Sequence, residues 1–248
     1  MLTCDLTDRV VWITGANSGI GLATAIQFAA AGAKVIISAR NAETLAVAKH
    51  QLVSRGSCEA MPLDVADKQE VSNVCGAIER RHGRIDILVN SAGMNLKERN
   101  FSNMTAAGWD QVVQTNLSGL FYCCLSVIPG MRARQDGLII NISSRAAKYP
   151  RPMGGPAYNA TKRAVVALTE CINLEEGCYG VRATAVLPGE VATPMLEQRP
   201  RPPTQEERER MSQPEDIARA ILFVAMMPAR TCVSELSLAP TWNCSRQN

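Results

Sequence analysis

Residues 156–163 read PAYNATKR, and within them Tyr158 and Lys162 stand four positions apart. On a helix that spacing puts both side chains on one face, within reach of a common ligand. A phenol is a poor acid or base near neutrality unless its anion is favoured, and a neighbouring ammonium favours it through charge. Ser144 lies fourteen residues upstream of Tyr158, at the end of the apolar run GLIINISS, where its hydroxyl can hydrogen-bond a substrate carbonyl oxygen. Asn90 and Asn116 are further polar candidates, ending an apolar run and lying in a long helical pattern respectively. Each member of this set also has a plain reading as a cap or a satisfied polar side chain, and Y-x-x-x-K alone occurs by chance in many helices.

A second group could hold the reagent for such chemistry. Residues 14–21 read TGANSGIG, three glycines between the apolar run VVWIT and the alanine-rich stretch that follows. A glycine turn between a strand and a helix lets the backbone approach a pyrophosphate, whose charge is stabilised by the free N–H groups of the helix N-terminus. Gly15 would end the strand, Gly19 would admit close approach, and Gly21 would let the helix pack tightly. The spacing is G-x-x-x-G-x-G, not the G-x-G-x-x-G of the general dinucleotide fingerprint. The next apolar run, KVIISAR, ends in Ala39 and Arg40 where an acidic residue would bind a ribose 2′-hydroxyl. An arginine there attracts a 2′-phosphate and stacks on adenine, so NADP(H) is expected over NAD(H), with NAD(H) still possible. The alternative is an ordinary surface arginine, and Ser18, where a second basic contact could sit, is neutral.

The elements that must position these groups are short β-branched runs alternating with longer helical patterns. Strands are predicted over 9–14, 34–39, 58–63, 85–91, 137–143, 182–187 and 235–239, and helices over 20–31, 42–54, 69–81, 109–134, 157–176 and 214–226. That rhythm implies an α/β fold: a Rossmann-like, doubly wound parallel sheet of about seven strands with helices on both faces. In such a sheet the ligand crevice lies at the carboxyl ends of the strands, where DILVNSA and GLIINIS turn small and polar. The stretch 188–211 is rich in Pro, Arg and Glu and lacks a clean period. It reads as a substrate lid over 190–212, the alternative being a solvated surface excursion.

Composition sets the outer limits. With 248 residues, 46% of them hydrophobic, the chain suits one domain spanning 1–248. A net charge of +3, scattered along the chain, shows no footprint for nucleic acid or an acidic membrane. Nine cysteines in odd number, without a C-x-x-C pair, favour reduced thiols and a cytoplasmic setting. No leader pattern and no bilayer-spanning run is read, and no metal site is expected.

Taken in order, the motifs resemble those of the short-chain dehydrogenase/reductase family over essentially the whole chain. TGANSGIG resembles the family's cofactor turn, LDV at 63–65 its adenine contact, and NSAG at 90–93 its central-strand motif. Asn116 in QTNLSG, with Ser144, Tyr158 and Lys162, matches its catalytic tetrad, and PGEVATPM follows with Pro188, Gly189 and Thr193. The resemblance implies that Tyr158 is the general acid in carbonyl reduction and the base in alcohol oxidation. Lys162 would bind the nicotinamide ribose and lower the tyrosine pKa, Ser144 would polarise the carbonyl, and Asn116 would hold a water linking Lys162 to solvent. It further implies a cofactor site of Gly15, Asn17, Ser18, Gly19, Ile20, Gly21 and Arg40, with Asp64 and Val65 at the adenine. Asn90, Ala92 and Gly93 would border the ribose and pyrophosphate, and Pro188, Gly189, Val191 and Thr193 would flank the nicotinamide.

Three departures matter. NSAG carries a serine where the family most often has a second asparagine, a small polar exchange. Ser143 adjoins Ser144, and Ser144 is favoured as the catalytic one because one step along a strand reverses the side-chain direction. The tail SELSLAPTWN lacks the glycine-rich ending common among ketoacyl-carrier-protein reductases. The substrate pocket is expected from Met94, Arg145, Ala146, the stretch 148–155 and the lid. Arg145, Lys148, Arg151, Arg199 and Arg201 could recognise a carboxylate or phosphate, or could simply be solvated. The leading function is reduction of a small-molecule carbonyl or oxidation of the corresponding alcohol. Ketoacyl thioester (ACP/CoA) reduction and a non-catalytic nucleotide-binding sensor are the alternatives. Family members commonly pair through the long helices, so a homotetramer or dimer is expected.

Overall fold

The computed structural model describes residues 5–243. Seven parallel strands form one sheet in the order β3-β2-β1-β4-β5-β6-β7. They are β1 (Val10–Thr14), β2 (Lys34–Ser38), β3 (Cys58–Ala60), β4 (Ile87–Asn90), β5 (Gly137–Ile142), β6 (Val181–Pro188) and β7 (Glu235–Leu238). Between them run α1 (Gly19–Ala30), α2 (Ala42–Val53), α3 (Lys68–His82), α4 (Ala106–Val113), α5 (Gly119–Arg134) and α6 (Gly155–Glu176). After β6 come α7 (Gln205–Glu209) and α8 (Pro214–Ala225). Every expected strand is present, most ends moving by a residue or two.

Both faces of the sheet are covered, which is why its strands are apolar at nearly every position. Successive side chains point to opposite faces. Val11 and Ile13 of β1 join Val35, Ile37, Val89 and Ile140 beneath Phe28 of α1, Leu45 and Leu52 of α2, and Ile217 and Ile221 of α8. Val10 and Trp12 join Ile36, Leu88 and Ile139 against Ile78 of α3, Val127 and Met131 of α5, and Val165 of α6. At the amino ends of the strands Asp86 accepts from Val10 N and from Arg9, which also reaches Asp136, all at 2.9 Å. That ties β1 to β4 and β5 at the end remote from the crevice. Cys4 and Cys244 lie outside the described residues, and the other seven cysteines are free thiols.

Three expectations need correction. The third strand, expected to 63, stops at Ala60; Met61 N and Leu63 N still donate to Ile37 O and Ala39 O at 2.9 and 3.1 Å. Pro62 between them has no N–H, so the ladder loosens into extended chain. The helix expected over 109–134 begins at Ala106 and is interrupted by a π turn, Gln114–Ser118. As one stretch, Ala106–Arg134 has the length and apolar composition of a bilayer span, against the expectation of none. Its inner side packs on α3, β4 and β5, so the apolar residues there serve the core.

Candidate active site

The strand order reverses between β1 and β4, and the turn after β1 opens beside that gap. Gly15 sits at φ +66°, and a Cβ there would stand 2.6 Å from the backbone of Ala92. Only glycine lets the two loops touch. Gly21, inside α1, is closed on by the carbonyl of Gly15, so the helix begins flush against the turn. Ser18 precedes α1 without a side-chain capping bond, and the first turn holds no acidic residue. Its leading N–H groups therefore point into the cleft without an internal anion, which fits a pyrophosphate.

Four elements bring the proton-handling groups together. Ser144 leaves β5 as the cap of a short 3₁₀ turn, its Oγ accepting from Ala146 N at 3.1 Å. Ser143 points the other way and donates from Oγ to Lys162 O at 2.7 Å, so of the two serines Ser144 shares a hydrogen bond with Tyr158. Tyr158 and Lys162 lie one turn apart on α6, with Lys162 Nζ 5.6 Å from the Tyr158 ring centroid. Lys162 is buried, donates to Ile142 O at 2.8 Å, and has its pKa brought down to about 8 by desolvation. Burial raises the Tyr158 pKa above its ordinary value, while the Ser144 hydrogen bond and the charges of Arg199 and Arg99 pull against that rise. The resemblance assigned the lowering to Lys162; the larger pulls here come from Ser144 and the two arginines.

Asn116 sits in the π turn, a local widening that often marks function. Its side chain clamps one residue: Oδ1 accepts from Met94 N at 2.8 Å and Nδ2 donates to Met94 O at 2.9 Å. That clamp places Gly93 beside Lys162: a Cβ on Gly93 would lie 3.6 Å from both Lys162 Nζ and Asn116 Oδ1.

A cleft of about 290 Å³ runs from the glycine turn past Ser144, Tyr158 and Lys162. Gly15, Asn17, Ser18, Gly19, Ile20 and Gly93 line one end, and Pro188, Gly189, Val191 and Thr193 line its side. Arg145 and Ala146 are wall residues, as expected. A smaller cavity adjoins the turn, bounded by Ala39, Arg40, Asn41, Leu63, Val65, Ala92 and Thr115. Its wall contains no carboxylate, and Arg40 is exposed there.

Several expected residues face elsewhere. Asn90 turns its amide into the sheet, donating to Asn141 Oδ1 at 2.9 Å and Cys124 Sγ at 3.3 Å, because the two asparagines are register partners on β4 and β5. Asp64 accepts from Ala66 N through Oδ1 at 3.0 Å and lines neither cavity. Met94 is held by its backbone and by a 3.4 Å contact from Thr115 Oγ1 to Sδ, outside the wall. Lys148 pairs with Glu235, and Arg201 with Glu207 at 3.6 Å, both away from the cleft. The expected stretch 148–155 contributes Met153 and the lid contributes Met195 and Leu196, while Asn95, Arg99 and Asn243 are wall residues that sequence reading did not single out.

The stretch 190–212 is more regular than its sequence suggests. It contains a 3₁₀ turn, Pro194–Gln198, and α7, which is closed by a Thr204/Glu207 capping box. Ion pairs Arg199–Glu190, at 3.3 Å, and Arg208–Glu197 lace it together. Pro194, Met195, Leu196 and Arg199 reach the cleft from it.

A nucleotide-type crevice at the switch point of a parallel sheet, with a Ser, Tyr and Lys converging beside it, defines an α/β oxidoreductase. Residues 9–203 match the model of the short chain dehydrogenase family. The chain belongs to that family. It is 35% identical over 228 residues to the 3-oxoacyl-[acyl-carrier-protein] reductase FabG of Thermotoga maritima, covering 89% of this chain and 91% of the relative. The crystal structure of levodione reductase superposes with a TM-score of 0.87 at 30% identity, covering 96% of this chain and 99% of the other. The closed form of serine dehydrogenase complexed with NADP+ gives 0.86 at 29% identity, over 94% and 96% of the two chains.

Proposed function

We propose that this protein interconverts a small-molecule carbonyl and the corresponding secondary alcohol with NADP(H), Tyr158 exchanging the proton. The observation that carries this reading is the shared wall: Ser144, Tyr158 and Lys162 line the same cleft as the uncapped start of α1. When bound, the nicotinamide cofactor supplies or accepts the hydride; the chain positions and protonates. Ser144 Oγ and Tyr158 Oη meet a carbonyl oxygen from one side. With its pKa raised by burial, Tyr158 keeps its proton near neutrality and so presents it to that oxygen during reduction. In oxidation Tyr158 Oη, having first given up its own proton, takes the alcohol proton as a phenolate. Lys162 presents its ammonium to the ribose end of the cleft while anchored to Ile142 O. The Asn116 side chain holds Met94 with one bond at each polar atom, and its remaining N–H and lone pair are what it has left for a water linking Lys162 to solvent.

Arg40 beside a cavity without a carboxylate supports NADP(H) over NAD(H), as does the serine dehydrogenase neighbour, which was captured with NADP+. Arg40→Asp should lower the ratio of kcat/KM for NADPH to that for NADH at least tenfold. An unchanged ratio would remove Arg40 from cofactor choice. The FabG relative favours one competing reading, reduction of a 3-oxoacyl thioester. NADPH consumption against ketones, quinones, hydroxy acids and 3-oxoacyl thioesters separates them: faster turnover of thioesters than of free ketones selects the second, and no turnover of any refutes both.

A further inference from the structure

Arg99 stands out among the buried polar groups. It is 4% exposed, lines the cleft, and has no carboxylate partner among the described residues. Nη1 donates to Met153 O at 3.2 Å and Nη2 to Gln198 O, while the buried Nε is without a partner among the described residues. A buried guanidinium is normally matched by an anion, because carbonyl dipoles replace only part of its lost hydration. Arg199 adds a second positive charge on the same wall, and its one carboxylate partner among the described residues, Glu190, is shared with Asn243. Around the cleft stand four arginines and Lys162 against one acid, Glu190.

The position is built rather than accidental. Gly155 opens α6 at φ +71°, and a Cβ added there would stand 2.1 Å from Arg99 O, so a side chain would not fit. Asn95 Nδ2 holds Gly154 O at 2.9 Å, so the segment carrying Arg99 is fastened to the start of the helix carrying Tyr158. From there Arg99 bridges the 148–155 loop and the stretch after β6. Arg99 and Arg199 line the same cleft as Ser144 and Tyr158, and the charge of each favours the Tyr158 anion.

We propose that Arg99, assisted by Arg199, is an oxyanion-binding subsite, and that the substrate carries a carboxylate or similar planar oxyanion besides its reacting carbonyl or hydroxyl. This rests on the oxidoreductase reading and narrows its substrate to keto or hydroxy acids. The guanidinium fork suits a carboxylate bidentately, and the unpartnered Nε–H is a donor already paid for in desolvation.

The test uses pyruvate, acetoacetate and levulinate, each beside its neutral amide, in NADPH-coupled assays of the full chain. At least one acid should exceed its amide tenfold in kcat/KM, and Arg99→Met should cut that acid-to-amide ratio at least tenfold. Arg199→Met and Arg99→Lys serve if Arg99→Met does not fold, the lysine keeping charge but losing the fork. Independently of turnover, 20 mM malonate should raise the Tm of the wild type, in the presence of NADP, more than that of the variant. Ratios near one with ketones still reduced, and no malonate shift, overturn the subsite while the oxidoreductase reading survives. Absent turnover of every compound, with a malonate shift lost on substitution, supports the subsite and sinks the oxidoreductase reading.

Discussion

Lys162 shows how the site trades stability for chemistry. Burial brings its pKa down from 10.5 to about 8, so the unfolded chain binds more protons than the folded one between those values. Stability therefore rises with pH across that window, and below pH 8 the fold carries the full cost of a desolvated ammonium. Lys162→Met should raise stability by about 1–2 kcal/mol at pH 7, less than the full shift because Ile142 O loses its donor. The gain should shrink by pH 10, as measured by urea denaturation at both values; a pH-independent difference would contradict the buried charge. Tyr158, Lys162 and Ser144 were legible in the sequence because their spacing is local and their element types are plain. Arg99 was not, since its burial is created by carbonyls at 153 and 198, far away in the chain. The side-chain bond of Asn90 was hidden for a similar reason: its partner is a residue on the next strand, which no local pattern announces.

Among the elements, the β1–α1 turn has the least tolerance. Gly15 combines a left-handed φ with backbone contact to Ala92, so Gly15→Ala incurs both the conformational cost, about 1–2 kcal/mol, and a clash. It should lower Tm and weaken NADPH binding at least tenfold by fluorescence titration; wild-type affinity would show that the turn is not the pyrophosphate cradle. Element types could be read from period alone, since a doubly covered parallel sheet writes continuous apolar strands between amphipathic helices. The π turn at 114–118 escaped that reading because one extra residue in a helix barely disturbs an apolar pattern spanning 109–134. Order in the 190–212 stretch also escaped it, because ion pairs and a capping box, rather than apolar period, hold that segment.

At the scale of the whole molecule, the long helical face leaves large apolar side chains outside. Trp109, Phe121 and Leu125 are 39%, 42% and 49% exposed, more than a monomer needs to leave uncovered on one helical stretch. If that face pairs two copies, a Phe121→Asp/Leu125→Asp variant should run at half the wild-type mass or less by light scattering. A monomeric wild type at micromolar concentration would exclude such pairing. The sheet, the turn and the α6 helix meet at one cleft, where the proposed reaction needs a single phenolic proton, that of Tyr158. The most direct test of that role is Tyr158→Phe, assayed for NADPH-dependent carbonyl reduction and titrated for NADPH binding in the same preparation. Turnover should fall at least a hundredfold, within the usual range for removing a general acid, with the dissociation constant for NADPH changed by less than threefold. Undiminished turnover would contradict that role.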